Sequence, residues 1–297
     1  MRSEAHSDTA NPSPPPDLVT LTTDFGWSGS YVGELKGAIL SRSRRAVLVD
    51  VCHTVDPQDI RQGAWILEAA ARAFGPGTIH LAVVDPGVGT SRKVVALRAR
   101  NRPVWLVGPD NGLLIPALDA LGGCAEAWSI EPHAPAIRAG TVDPTFHGRD
   151  LMAPAVAHLV EGGPAEALGP RHDPDQLVRA DHWEAHFVEQ PRPAFRAEIA
   201  AIDRFGNLTL NLRTARLVER LGTGYNPRAV RIVLDRPAPH GRVEILGLDR
   251  TYGDHAPNDL IALTGSTGRL ELAVVNGSAA RRLVVEVGHP VQVDLVE

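Results

Sequence analysis

The alternation of apolar strand-like runs with helix-like segments, which begins at Leu18, most constrains how this chain can fold. Leu18–Thr22 and Ala46–Val51 are short apolar runs, and a helical pattern lies between them at about 31–42. Thr78–Val84 is apolar at nearly every position, which is typical of a parallel strand covered on both faces. The alternation predicts an α/β layer with a mainly parallel sheet flanked by helices.

Helix signals between the strands favour the same architecture. Asp56 followed by Pro57 predicts a helix N-terminus, because aspartate caps helices and proline suits the first helical position. Apolar residues then recur at helical spacing, at Ile60, Ala64, Leu67, Ala71 and Phe74. We also predict strands near 94–97 and 104–107 and a helix over about 149–160.

The character of the sequence changes after about Glu189, where prolines mark a break and short apolar runs follow, separated by Gly, Asn and Asp. Short strands with frequent turn signals are typical of a small β-barrel or sandwich. We predict such strands at 230–234, 242–246, 260–263, 270–275 and 291–296. The predicted organisation is a Pro-rich leader over 1–17, an α/β domain over 18–188 and a smaller all-β, barrel-like domain over 189–297.

Charge and composition exclude several classes of function. The net charge of -5, without a basic block, argues against nucleic-acid binding. Two cysteines are too few for a disulfide framework, and the histidines show no zinc spacing, so we expect no metal. No apolar run reaches the ~20 residues that span a bilayer. The polar N-terminus does not resemble a secretory signal, which leaves the cytoplasm as the expected compartment.

Carboxylates follow two of the predicted strands. Asp24 comes after the first strand, and Asp85 follows the apolar run 78–84 and precedes a glycine-rich turn. Ligands of open α/β sheets bind beyond the carboxyl ends of strands, so a functional carboxylate belongs here, although each aspartate could simply cap its own turn. Arg92 lies beyond the turn and could fold back onto Asp85. We therefore predict that this segment forms one wall of a small-molecule site. The glycine pattern beside Asp24 is not GxGxxG, which argues against a dinucleotide cofactor.

Polar residues in other loops allow both a functional and a structural interpretation. Asp110 and Asn111 lie in a strong turn signal. His147, before a predicted helix, could be a base, a hydrogen-bond donor or a surface residue. Segment 203–207 opens the second domain with a tight turn, and segment 265–268 offers hydroxyls and backbone amides that suit a carboxylate or an ordinary hairpin.

Taken together, these segments resemble the S-adenosylmethionine hydroxide adenosyltransferases, the hydrolytic relatives of fluorinase and chlorinase. The matching pieces run in the family's order from about residue 18 to the C-terminus. They are TDFG (23–26), DVCH (50–53), VDPGVG (84–89), GPDNG (108–112), FHGRD (146–150), DRFGN (203–207) and GSTG (265–268).

The resemblance implies a fold and a reaction. It implies a seven-stranded α/β N-terminal domain, a β-barrel-like C-terminal domain and a homotrimer. Each site would lie between the N-terminal domain of one subunit and the C-terminal domain of its neighbour. The implied reaction is S-adenosylmethionine plus water giving adenosine and methionine, with no cofactor.

The resemblance also implies roles for individual residues. The polar triad that handles water in the family falls on Asp85, Arg92 and His147, where His147 is the member able to take a proton near pH 7. The ribose-binding aspartate falls on Asp24, and Phe146 would pack near the reacting carbon. In the second domain Asp203 would face the methionine amino group, Asn207 the adenine and Ser266 the methionine carboxylate.

Three departures from the halogenases bear on the activity. Gly148 stands where fluorinase has its halide-binding serine, and Gln58 replaces a tryptophan of that site, so halogenation is disfavoured. Thr267 stands where the halogenases have an arginine, so carboxylate binding must rest on other groups. The alternatives are a halide-dependent adenosyltransferase, a non-catalytic S-adenosylmethionine-binding regulator and, third, a metal-dependent hydrolase.

Overall fold

The computed structural model describes residues 18–138, 141–180, 183–236 and 241–296. The predicted leader, 1–17, lies outside the described residues. The chain divides into two compact units, one up to residue 180 and one from residue 181. The boundary predicted from the sequence lies a few residues later, at 188/189.

The first unit is built around a six-stranded sheet. Its strands are β1 (Leu18–Thr23), β2 (Val47–Cys52), β3 (Thr78–Val83), β4 (Val94–Ala99), β5 (Trp105–Pro109) and β6 (Cys124–Ser129). Its helices are α1 (Tyr31–Leu40), α2 (Ile60–Ala73), α3 (Ile115–Ala120) and α4 (Ala153–Val160), with a π-helical turn at Gly148–Met152.

The strand order of this sheet is β2-β1-β3-β5-β4-β6. The neighbours β2, β1, β3 and β5 pair in parallel, as predicted, whereas β4 is antiparallel to both β5 and β6. The sheet is therefore mixed, because β4 and β5 are joined directly by the turn 100–104 instead of by a crossover helix. The resemblance implied seven strands, whereas the described residues form six.

The two faces of the sheet bury different helices. α1 and α4 share a hydrophobic core with Val19, Leu21 and Leu81, which alternate toward one face. α2 approaches the other face closely, since a Cβ added to Gly63 would lie 2.9 Å from the Val84 side chain. The helix begins at Ile60 and is capped by Asp59, which accepts a hydrogen bond from the Gln62 amide at 2.9 Å. The predicted Asp56–Pro57 start was wrong.

The second unit is a single sheet of antiparallel strand pairs. Its strands are β7 (His186–Val188), β8 (Ala194–Ile202), β9 (Leu208–Arg213), β10 (Val230–Asp235), β11 (Arg242–Leu246), β12 (Leu260–Thr264), β13 (Arg269–Val274) and β14 (Pro290–Leu295). The order is β11-β10-β14-β8-β9-β13-β12, with β7 beside β8. Asp249, just after β11, donates its amide to the Ala262 carbonyl of β12 at 2.7 Å, so the two edge strands approach and the sheet nearly closes.

The prediction of a barrel-like second domain is confirmed in outline, but the description all-β was wrong. Two helices, α5 (Thr214–Leu221) and α6 (Ala279–Leu283), accompany the sheet. Leu217 and Leu283 bury their side chains in the core of this unit. Within the described residues no helix is long and apolar enough to cross a membrane.

Candidate active site

Two aspartates of the first unit stand side by side because of strand register. β1 and β3 are parallel neighbours, and their last residues, Thr23 and Val83, are register partners. Asp24 and Asp85 follow these strands and line the same cavity of about 300 Å³. Phe146 and His147 line it from the distant loop that precedes the π-helical turn. The carboxyl edge of the sheet therefore gathers the predicted N-terminal site residues.

Asp85, Arg92 and His147 are joined by direct hydrogen bonds. The Arg92 Nε donates to Asp85 Oδ1 at 2.7 Å, and its Nη2 bonds to Asp85 Oδ2. The same Nη2 lies 3.1 Å from His147 Nδ1. The side chains of Arg92 and Asp85 are only 11% and 7% exposed, so water screens this ion pair little.

The glycine-rich turn makes the fold-back of Arg92 possible. A Cβ added to Gly87 would lie 3.1 Å from Arg92 Cγ. Gly89 has a φ of +77°, and a Cβ there would lie 2.6 Å from the Pro144 carbonyl oxygen, so it needs glycine on both counts. The turn thus packs against the loop that carries His147.

The electrostatics of the triad leave a donor and a neutral imidazole available. The Arg92 Nη1 is buried and has no hydrogen-bond partner among the described residues. Burial, followed by the charge of Arg92, lowers the pKa of His147 below its ordinary 6.5, against the opposing charge of nearby carboxylates. Because arginine only donates, Nδ1 of a neutral His147 accepts from it, which places the imidazole proton on Nε2.

Asp24 is held by an unusual backbone. Its Oδ2 accepts a hydrogen bond from the Gln58 amide at 2.9 Å. Gln58 has a φ of +68°, a left-handed conformation that is rare outside glycine and that often marks a functional site. The backbone of position 58, which the sequence analysis considered only as a side-chain replacement, therefore orients the aspartate.

An aromatic cluster adjoins the cavity. The rings of Phe25 and Phe146 meet edge to face at 5.5 Å, and Tyr31 meets Phe146 at 5.4 Å. Phe146 is buried, whereas Tyr31 is 55% exposed. Phe146 thus stands on a packed support beside His147.

The predicted residues of the second unit line a separate, larger cavity of about 1130 Å³. Asp203, Asn207 and Ser266 are all among its lining residues. Asp203 Oδ1 accepts from the amides of Phe205 and Asn207, both at 2.9 Å, and its Oδ2 accepts from Asn207 Nδ2 at 2.9 Å. Ser266 lies exposed in the turn between β12 and β13.

Several further residues line this larger cavity. Tyr252 donates a hydrogen bond to Glu271, and burial together with this carboxylate raises the tyrosine pKa. Arg204 and Arg281 also line the cavity. Tyr252 and Arg281 lie outside the quoted motifs, and nothing in their local sequence points to a cavity. Only the fold brings them to the cavity that Ser266 also lines.

Asp110 and Asn111 have structural partners. Asn111 Nδ2 donates to the Val84 carbonyl at 2.9 Å, which anchors the end of the β3 segment. Asp110 Oδ1 accepts from the Val178 amide at 2.9 Å. Neither residue is among those that line the described cavity of the first unit, so the structural interpretation of this turn accounts for both.

Comparison with known proteins gives matches over nearly the whole chain. The model described as SAM hydroxide adenosyltransferase N-terminal domain matches residues 19–169, and the model of the C-terminal domain matches residues 197–292. An (R)-S-adenosyl-L-methionine hydrolase of Salinispora arenicola (strain CNS-205) is 38% identical over 275 residues, which covers 93% of this chain and 97% of the relative.

Two further matches are more distant. A fluorinase of Nocardia brasiliensis (strain ATCC 700358 / HUJEG-1) is 29% identical over 299 residues, covering 93% of this chain and 96% of the fluorinase. The crystal structure of an uncharacterized conserved protein from Thermotoga maritima has a TM-score of 0.78 at 30% identity, covering 93% of this chain and 99% of that one.

Proposed function

The chain belongs to the SAM hydroxide adenosyltransferase family, and from this premise we propose that it hydrolyses S-adenosyl-L-methionine to adenosine and L-methionine. Water or hydroxide attacks the 5′ carbon of the adenosyl group, and the sulfonium leaves as methionine. The observation that carries the proposal is the hydrogen-bonded, partly buried triad of Asp85, Arg92 and His147 at the carboxyl edge of the sheet, with one Arg92 donor unclaimed among the described residues.

The chemistry requires activation of water more than activation of the leaving group. A sulfonium departs as a neutral thioether, so neither acid assistance nor a cofactor is needed. Arg92 Nη1 can donate a charge-assisted hydrogen bond to the oxygen as negative charge develops on it. Asp85 holds the guanidinium in place. Alignment of oxygen, carbon and sulfur contributes on the order of 7–11 kcal/mol at best, so geometry dominates the rate enhancement.

His147 has two roles in this scheme. Its lowered pKa keeps it neutral at pH 7, as a base requires. While Nδ1 accepts from Arg92, Nε2–H is a donor that can orient the water. Nδ1 can take the proton that the attacking water loses when the water replaces Arg92 Nη2 as its hydrogen-bond donor, with the imidazole remaining in place.

We assign the remaining predicted residues to substrate binding. Asp24 would bind the ribose hydroxyls and Phe146 would pack near the 5′ carbon. Asp203 would accept hydrogen bonds from the methionine amino group through the carboxylate lone pairs that its own turn does not use. Asn207 would bind the adenine, and Ser266 would bind the methionine carboxylate. Because Thr267 carries no charge, we assign Arg281, which lines the same cavity, as the cation for that carboxylate.

The proposed assembly is a homotrimer in which the first-unit cavity of one copy is completed by the second unit of another. A cavity of about 300 Å³ is at the small end of ligand sites, which favours completion by further residues. The edge strand β2 also exposes apolar surface, with Val47 54% exposed and nearby Trp27 61% exposed. The cytoplasm remains the expected compartment.

Gly148 argues against the halide-dependent alternative. A Cβ at this position would lie 3.3 Å from Val83 Cγ1 and 3.6 Å from Phe25, so a side chain here would meet apolar groups in close contact. No hydroxyl is available at 148 to hold a halide. Fluorinase is also the less similar of the two named relatives.

The test is to incubate the protein with the (R) and (S) sulfonium epimers separately, with and without chloride, fluoride or a chelator. We expect adenosine and methionine in equal amounts from the (R) epimer, with no change on adding chelator or halide. A 5′-halo product would favour the halogenase. Binding without any product would favour a regulator, and loss of activity with chelator would favour a metal-dependent hydrolase.

A further inference from the structure

The loop that carries Phe146 and His147 is tied down by residues that have no part in the proposed chemistry. The Asp150 carboxylate accepts a hydrogen bond from the Asp143 amide at 2.8 Å, which closes the loop on itself. Arg149 Nε donates to Asp150 Oδ1 at 2.7 Å, and Nη2 donates to Oδ2 at 3.0 Å. This is a bidentate pair, the geometry that gives the strongest and most directional ion pairing.

Arg149 connects the closed loop to helix α1. Its Nη1 donates to Glu34 Oε2 at 2.9 Å, and Glu34 is fixed in turn by Ser30, whose hydroxyl donates to it at 2.6 Å. The guanidinium also lies 4.9 Å from the centre of the Phe146 ring. One side chain therefore fixes the loop to α1 and covers the aromatic ring next to His147.

The backbone fixes the loop from two other directions. Pro144 packs against Gly89 of the glycine-rich turn, where a side chain would collide with the Pro144 carbonyl. Immediately after His147 the chain enters the π-helical turn Gly148–Met152. Such turns widen the helix by one residue and recur at functional sites. Together these two features fix both where residue 147 lies and the direction of the backbone at that residue.

We propose that Glu34, Arg149 and Asp150 form a positioning network that sets the imidazole of His147 against Arg92 during catalysis. The inference rests on the proposed function for its catalytic consequence, but the network itself is defined by the contacts above. Its members are positioning residues, since they act through the loop and contact neither Arg92 nor Asp85 in the described hydrogen bonds.

The network also contributes charge at His147. Burial and Arg92 lower the pKa of His147, and the carboxylates of Asp85, Asp150 and Asp143 oppose this by raising it. Neutralising Asp150 removes one of the opposing charges. The pKa of His147 should therefore fall further in an Asp150→Asn variant, which a purely structural role for Asp150 does not predict.

The kinetic test uses Asp150→Asn and the milder Glu34→Gln, with Glu126→Gln as the matched control. Glu126 pairs with Arg98 at 3.7 Å on the surface of the same unit, with exposure close to that of the Arg149–Glu34 pair. We expect Asp150→Asn to lower kcat by ~10- to 100-fold with KM within about threefold, since small misplacements cost rates of that order. Glu34→Gln should lower kcat less than Asp150→Asn does, and the Glu126→Gln control should leave kcat unchanged.

Two further measurements separate positioning from folding. In a His147→Ala background the Asp150→Asn loss should largely disappear, because residues that act as a unit are not additive. NMR titration of the His147 ring in the substrate-free protein, assigned by subtraction of His147→Ala, should show the lower pKa in Asp150→Asn. Glu34→Gln keeps the kinetic comparison usable if Asp150→Asn folds poorly.

The outcomes are distinct. Wild-type kcat in both variants, an undiminished Asp150→Asn loss in the His147→Ala background, or an unmoved His147 titration would overturn the network. Absence of adenosine formation by the wild-type protein would refute the proposed function alone, because the titration would still report on the network.

Discussion

The two units of the chain hold their candidate site residues in different ways. In the first unit Asp85, Arg92 and His147 come from separate segments and are joined by hydrogen bonds through Arg92, and the side chains of Asp85 and Arg92 are largely withdrawn from water. In the second unit Asp203 and Asn207 belong to one turn and bond within it, at the edge of an open cavity. The first arrangement is the kind expected of a reaction centre, and the second is the kind expected of a binding surface.

This difference has a kinetic consequence. Substitutions in the triad of the first unit should remove interactions made mainly in the transition state and so lower kcat. Substitutions in the second unit should remove interactions made equally in the bound substrate and so raise KM. The following predictions would sharpen or break this division.

The largest effect is expected for His147→Ala. Loss of a positioned acid–base group should lower kcat by ~10²–10⁴-fold while substrate affinity changes little. Steady-state kinetics with direct measurement of substrate binding by calorimetry tests this. Unchanged turnover would remove His147 from the mechanism, and a rise in KM alone would erase the contrast between the units.

Asp203→Asn should act mainly on KM. The asparagine oxygen can still accept from the Phe205 and Asn207 amides, so the turn is retained, but the charge facing the substrate ammonium is lost. Hydrogen bonds to charged groups contribute about 1.5–3 kcal/mol, which corresponds to a KM roughly 10- to 100-fold higher. Substitution of Asp235, at the end of β10, is a suitable control because it does not line the cavity. A selective loss of kcat would contradict the binding role.

The pH dependence of kcat/KM should report on His147, because this ratio follows the ionisation of the substrate-free enzyme. Its pKa is lowered below 6.5, so the neutral form that acts as base persists below neutral pH. We expect kcat/KM to be flat from pH 8 to near neutral pH and to fall at lower pH, approaching tenfold per unit once the imidazole is protonated. If the activity of His147→Ala falls at low pH in the same way, the fall belongs to another titrating group.

The smallest effect concerns stability and involves a buried histidine away from the cavity. Burial lowers the pKa of His80 to about 4 from 6.5, so the unfolded chain binds a proton more readily than the folded one. Stability is therefore lost as pH falls from 6.5 toward 4, by about 1 kcal/mol between pH 7 and 5.5. This corresponds to a Tm roughly 2–4 °C lower for a unit of this size. Calorimetry should show a smaller change of Tm with pH in His80→Gln than in the wild-type protein. An equal change would exclude His80 as the cause.

The sequence predicts the gathering of Asp24 and Asp85 because both follow apolar runs that end at the same edge of a parallel sheet. It does not predict the direction of β4, since an apolar run looks the same in either orientation. It also misplaces the start of α2, because Gln58 gives no sign of its left-handed backbone. The family named from the ordered motifs is confirmed by the matches over residues 19–169 and 197–292.

The approach of His147 to Arg92 lies beyond what local pattern can reveal. The two residues are 55 positions apart, and their contact depends on Gly89 admitting Pro144 and on Arg149 fixing the loop to α1. Only the resemblance grouped them in advance. The roles assigned to the eight site residues remain predictions, and the variants above address two of them, His147 and Asp203.

The most direct test of the central claim is hydrolysis in ¹⁸O-water followed by mass analysis of the adenosine and methionine. Attack by water at the 5′ carbon predicts one ¹⁸O atom in the 5′ hydroxyl of adenosine and none in methionine. Unlabelled adenosine would contradict the account, because the new oxygen would then not come from solvent water.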